Sequence, residues 1–214
     1  MKTPSPTALK AVLFVIFVIA LVCAPFAVFG EEFVIPLLES RQQQAGALVL
    51  ISIALLAADS VAPVPATLVI MFLAAKAGRL AGILGGTAGL AAGVLAAAWL
   101  GRSAVGRIAP KFFPDSELAK LRAGLQRQLA LTLACLRSVP VLAETSVIVA
   151  AAAGVPVRKI FWATLLPNFV VATIYSVAAD DSFTTACVAF LGTMLASYLL
   201  WRWLGRKAKA PDAF

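Results

Sequence analysis

Long apolar stretches fill most of this chain, and two of them are interrupted by proline next to a charged residue. The first runs from Ala45 to Ala58, stops at Asp59-Ser60-Val61-Ala62-Pro63-Val64-Pro65, and resumes from Ala66 to Ala75 before Lys76, Gly78 and Arg79. Its first arm makes about 21 Å of helix, short of a hydrocarbon core of about 30 Å. The second, Leu129 to Leu136, is interrupted by Arg137-Ser138-Val139-Pro140-Val141-Leu142-Ala143-Glu144 and continues from Thr145 to Ala153. Broken backbone at membrane depth is tolerated only where protein or a water-filled cavity satisfies it. Residues 45–78 and 129–154 therefore read as re-entrant hairpins, and their breaks as the first places to look for function.

Longer apolar runs at 9–30, 80–101, 160–179 and 183–204 read as full transmembrane helices, and 102–128 as a cytoplasmic or interfacial segment. The run at 9–30 is longer than the roughly 7–15 apolar residues of a signal peptide and is read as a retained helix. An apolar fraction of 62% and a charged fraction of 13% exclude an ordinary soluble domain. Asp59 and Gly101 are 42 positions apart, and Arg137 and Asp180 are 43 apart, so hairpin plus span occurs twice at nearly equal length. Paired, Pro-interrupted short segments in two halves point to an inverted repeat with its site where the interruptions meet. The expected fold is an all-α integral membrane protein, one domain over 1–214, with two re-entrant helical hairpins and about four full spans.

The net charge of +8 lies in clusters between apolar segments, which fits membrane topology better than a nucleic-acid face. The basic sets at Lys2/Lys10, 102–128, Arg158/Lys159 and Arg202 to Lys209 should be cytoplasmic, opposite Glu31/Glu32/Glu39 and Asp180/Asp181. Both termini then lie inside, while Lys76 and Arg79 dissent. Sidedness alone does not separate a hairpin that dips in from one that crosses twice. Cys23, Cys135 and Cys187 sit in apolar stretches without CxxC spacing and the chain has no histidine, so neither a disulfide framework, a metal site nor a cofactor is expected. Gly85, Gly89, Gly93 and Gly101 belong to a glycine-rich span whose GxxxG spacings let helix backbones approach closely.

Asp59, Arg137 and Glu144 are the charges nearest the middles of the broken segments. Unpaired at a bilayer centre each would cost at least about 2.5–3.5 kcal/mol, so such residues face a cavity or one another. They define either a substrate path or a salt-bridged clasp, and a clasp that opens is a gate. Pro63, Pro65 and Pro140 suit the first turn of a helix, where the missing N–H costs nothing. The half-helices that follow would aim positive dipole ends into the membrane interior, which favours an anion. Arg137 adds a planar donor set suited to phosphate.

Asp59-x-x-x-Pro63-x-Pro65 with an apolar run to Gly78, the glycine-rich span ending at Gly101-Arg102, and Arg137-x-x-Pro140-x-x-x-Glu144 followed by Gly154 and Arg158 resemble, in order from about Ala45 to Asn168, the DedA/VTT-domain family, also called SNARE-associated Golgi proteins. The resemblance implies two oppositely facing re-entrant hairpins and a role in lipid translocation. Bacterial members of that family are linked to membrane homeostasis and to returning undecaprenyl phosphate across the inner membrane, and eukaryotic ones to phospholipid scrambling. It places Asp59 at the family's acidic position, Arg137 at its arginine before proline and Pro140 at that proline. Val94 stands where many members carry an acid and Ala143 where they carry a second arginine, while Glu144 resembles a branch whose motif ends in glutamate.

The expected function is transport or scrambling of an anionic, phosphate-bearing lipid across the inner membrane, contributing to membrane homeostasis. Its partners would be membrane lipids with anionic headgroups, with H⁺ or Na⁺ as coupling ion, no nucleic acid, and association between copies left open. The rivals are a proton- or sodium-coupled solute transporter and a non-transporting scaffold docking through 102–128. An enzyme is not expected, since Ser60, Ser138 and Thr145 near the breaks have neither a histidine nor a buried lysine as base.

Overall fold

The structure is a computed structural model that describes residues 34–40, 44–60, 64–137 and 142–179, with isolated positions at 16, 188, 191–193, 195, 196, 198, 199 and 202. The expected helix at 9–30, the span at 183–204 apart from those positions, Pro63 and Pro140 lie outside the described residues. Within them every regular element is helical. In chain order these are α1 (Val34–Glu39), α2 (Ala45–Ala58), α3 (Ala66–Ala77), α4 (Arg79–Leu100), a π-helical turn (Gly101–Val105), α5 (Gly106–Phe112), α6 (Asp115–Arg127), α7 (Leu129–Leu136), α8 (Leu142–Ala152) and α9 (Val157–Ala178).

The π turn does not end α4. The helix runs without a break from Arg79 to Lys111, 33 residues, or about 50 Å at 1.5 Å per residue. The segment expected to leave the membrane at Arg102 is thus divided: its first part extends the long helix, and only α6 is separate and polar. Pro114, just before α6, and Asp115 and Glu117 in its first turn explain the new start, because proline disfavours continuing the preceding helix and acids favour an N-terminus.

Two helices, Arg79–Lys111 and Val157–Ala178, are long and apolar enough to cross a membrane. The core helix of a soluble protein passes the same length and composition test, but only 44% and 33% of their apolar windows are buried. Leu80, Leu84, Leu95 and Trp99 on α4, and Trp162, Leu166, Phe169 and Val170 on α9, point outward exposed. A soluble monomer seldom leaves so continuous an apolar surface in water. The remaining apolar helices, α2, α3 and α8, have 14, 12 and 11 residues, at most about 21 Å.

The core forms around α4. On one side it receives α2 and α3, on another α9, and towards its far end α8. Contacts fix the directions: Gly85 faces Val49, Gly89 faces Ile53 and Leu56, and Gly93 faces Leu56 and Ala57, so α2 runs parallel to α4. Gly86 against Ala172 and Gly82 against Ser176 make α9 antiparallel to it. The backbones come close enough that a Cβ on Gly93 would stand 2.7 Å from the Leu56 carbonyl oxygen, and one on Gly101 would overlap the Ile148 carbonyl oxygen. Between α3 and α4 lies a single residue, Gly78, at φ 91°, whose N–H donates to the Ala74 carbonyl. That left-handed conformation is routine for glycine alone. Two apolar clusters result, one joining α2, α3 and the first half of α4, the other joining the end of α4 with α5, α7, α8 and the start of α9.

Candidate functional site

Asp59 directly follows α2, whose Leu56 and Ala57 pack on Gly93. The break therefore stands close to the midpoint of the 33-residue helix. The Asp59 Oδ1 accepts a 2.8 Å hydrogen bond from the backbone N–H of Val64. One carboxylate thus straps the break from the end of α2 to the residue before Pro65, which precedes α3 directly. Such a bond satisfies a backbone donor of the break that lies outside both helices.

The second break is tied by its own acid. Arg137 follows α7, and its N–H donates to the Ala134 carbonyl at 3.3 Å. Glu144 lies in the first turn of α8, where the helix dipole favours negative charge. The Arg137 Nη1 meets the Glu144 Oε1 at 3.2 Å, with the two side chains only 5% and 12% exposed. The pair therefore closes the tip between α7 and α8, within one break and not between the two.

The two breaks nevertheless lie within electrostatic reach of each other. The charges of Glu144 and Arg137 both act on the Asp59 carboxyl, although among the described residues no ion pair joins Asp59 to Arg137. Two carboxylates and one guanidinium from segments far apart in the chain share one neighbourhood, with a formal charge of −1. Among the described residues the guanidinium donates to Glu144 through Nη1, and an arginine carries five N–H donors in all.

Two neutral polar groups flank these charges in sequence, and a third lies in α9. Among the described residues, the Oγ of Ser60, next to Asp59, and the Oγ1 of Thr145, next to Glu144, are buried and find no hydrogen-bond partner. Both amide atoms of Asn168, fully buried in mid-α9 after Pro167, also lack one. Helical hydroxyls commonly return to a carbonyl one turn back, as Thr87, Thr164 and Thr173 do. Ser60, Thr145 and Asn168 do not, and buried polar atoms in that state call for water or a guest. Ser52 and Ser176 are likewise buried and unpartnered, Ser176 packed where Gly82 lacks a side chain.

The three charges were legible in the sequence, because charge inside an apolar run is conspicuous. Ser60 and Thr145 stood out there only as polar residues near the breaks, and nothing singled out Asn168, since one neutral polar residue in an apolar run has many bland roles. Val94, where the DedA/VTT resemblance would place an acid, is buried in the second cluster with Val147 and Ile148. Ala143 is buried one residue before Glu144. Among the described residues no group of three or more His, Cys, Asp or Glu side chains could hold a metal ion. The chain matches no family model, no curated protein and no solved structure, so the DedA/VTT resemblance rests on the motif residues alone.

Proposed function

We propose that this chain is a multi-pass inner-membrane transporter or scramblase, and not an enzyme, passing an anionic phosphate-bearing headgroup between the tips of two re-entrant hairpins. In this reading α2–α3 and α7–α8 are the hairpins, related as an inverted repeat, with both termini cytoplasmic. Support for membrane location comes from two helices of spanning length with outward apolar faces. Support for hairpins comes from the shortness of α2, α3, α7 and α8, each below the roughly 30 Å needed to cross.

One observation carries the proposal: Asp59 at one break lies within electrostatic reach of the Arg137–Glu144 pair at the other. Charges there are costly, and paired or cavity-facing charges mark substrate paths. Arg137 is the anion receptor, Glu144 the internal stand-in that a headgroup phosphate displaces, and Asp59 the group that keeps the first tip folded. The lipid tails stay in the bilayer. In liposomes carrying a fluorescent phospholipid or a polyprenyl phosphate, wild type should accelerate flipping and Arg137→Ala should lose that acceleration. Flipping by wild type at the rate of empty vesicles would overturn the proposal.

A second reading has its own observation. The formal charge of −1, with unpartnered oxygens at Ser60 and Thr145, suits a cation. Proton- or sodium-coupled movement of a small solute would use the same residues, and transport that follows an ion gradient with no lipid movement would favour it.

A further inference from the structure

Away from the breaks, the junction of α6 and α7 and the start of α9 enclose an open groove of about 1050 Å³. Gln126 to Leu131 form one wall, and Arg158, Lys159, Trp162 and Ala163 the other. The volume is at the upper end of small-molecule sites, far more than an ion requires.

Its lining is divided by chemistry. Arg127, Arg158 and Lys159 supply three positive charges, and no acid lines the groove. Among the described residues none of the three has an ion-pair partner. Arg158 and Lys159 also sit in the first turn of α9, where the dipole adds positive potential. Apart from Gln126 and Gln128, the rest of the lining is apolar: Leu129, Ala130, Leu131, Trp162 and Ala163. Polar α6 ends and apolar α7 begins at this level, and an exposed tryptophan next to cations is the arrangement found at a membrane–water interface.

A strap joins the helix that leads into one wall to the turn that leads into the other. The Arg122 Nε donates to the Ala153 carbonyl at 3.0 Å, tying α6 to the turn between α8 and α9. Gly154, at φ 86°, has no Cβ, and the Arg122 guanidinium occupies the space that one would fill. Five residues beyond Arg122, Arg127 is thereby delivered opposite Arg158 and Lys159.

We infer that this groove binds one anionic phospholipid, its phosphate among Arg127, Arg158 and Lys159 and the upper part of a chain along Leu131 and Trp162. A soluble anion would leave the apolar wall unused, and a zwitterionic lipid would leave three cations uncompensated. The inference is independent of the transport reading, because it requires binding without movement.

Trp162 reports on the site directly. With Trp99, Trp201 and Trp203 replaced by Phe in the full chain, Trp162 is the remaining tryptophan. The protein is reconstituted in phosphatidylcholine, and its fluorescence is titrated with brominated phosphatidylglycerol or brominated phosphatidylcholine. The anionic lipid should quench at a mole fraction lower by on the order of fivefold or more, the worth of at least one Lys or Arg near an anionic headgroup. R127Q/R158Q/K159Q should bring the two curves together, and R158Q alone should narrow the gap if the triple variant does not fold. Coincident curves in the parent protein, a gap that survives these substitutions, or reversal of quenching by millimolar inorganic phosphate would each overturn the inference.

Discussion

Removing the charge of Arg137 should be worse for the fold than removing that of Glu144, although each breaks the same ion pair. At 3.2 Å and an effective dielectric of about 20, the pair's Coulomb attraction is about 5 kcal/mol before desolvation. Truncating one partner of a buried pair typically costs about 3–5 kcal/mol, because the other charge is stranded. The third charge creates the asymmetry. Arg137→Met leaves Asp59 and Glu144 as two carboxylates at a formal −2, whereas Glu144→Gln leaves Arg137 with Asp59 at zero. Beyond direct contact, two unit charges at that dielectric interact by about 1–3 kcal/mol, which sets the expected gap. Asp59→Asn then acts with opposite signs: it should recover about 2 kcal/mol in the Arg137→Met background and cost a similar amount in Glu144→Gln. Asparagine keeps an acceptor for the Val64 N–H, so the strap itself is retained. Reversible unfolding in mixed micelles, followed by helical circular dichroism, reads these shifts. The same effect of Asp59→Asn in both backgrounds would refute the idea that the two breaks share one electrostatic site.

Three further outcomes are expected. Gly93→Ala should destabilise by about 1–3 kcal/mol through overpacking, because its Cβ would meet the Leu56 carbonyl oxygen. Gly46→Ala, with nothing within 4 Å, should not, and comparing the two unfolding midpoints is the check. Gly154→Ala should cost at least about 1–2 kcal/mol for the left-handed backbone, plus a clash with Arg122 that Arg122→Ala removes, so the double variant should unfold later than Gly154→Ala alone. Asn168→Leu should stabilise the empty protein by removing unpartnered amide atoms, yet slow lipid flipping in the liposome assay if those atoms hold water or guest on the path.

The arms of the broken segments were legible to within a few residues, because charge and proline in an apolar run leave little freedom: Ala45 to Ala58 emerges as α2, and the run from Ala66 emerges as α3, extended to Ala77. The continuation of α4 through Gly101 was not. Arg102 and Arg107 suggested an exit from the apolar region, but no proline or capping residue stops the helix before Pro110 and Pro114, and glycine at 101 admits α8 without ending it. At the site, hydropathy could nominate Asp59, Arg137 and Glu144 but not their pairing. That Arg137 takes Glu144 within its own break, while Asp59 takes a backbone N–H, follows from where α2, α7 and α8 end, which a linear pattern does not encode. Asn168 illustrates the other limit. Its significance comes from being buried without a partner, a property of packing.

The charge balance links the two readings of the site. With both carboxylates ionised, Asp59 and Glu144 against Arg137 give the site a formal charge of −1, and Val94 supplies no third acid. A headgroup phosphate that displaces Glu144 from Arg137 brings another negative charge into a region where both carboxylates are poorly solvated. The site can hold that guest at unchanged charge only by taking up one cation, whether a proton on a carboxylate or a sodium ion among the oxygens of Asp59, Ser60 and Thr145. Binding of the anion and of the cation then strengthen each other reciprocally, as linkage requires. An anionic lipid as cargo and a cation as co-substrate are therefore not rivals at such a site. The affinity for a short-chain phospholipid should rise as pH falls or as sodium rises, and the effect should weaken in Asp59→Asn, which removes one of the two carboxylates able to compensate.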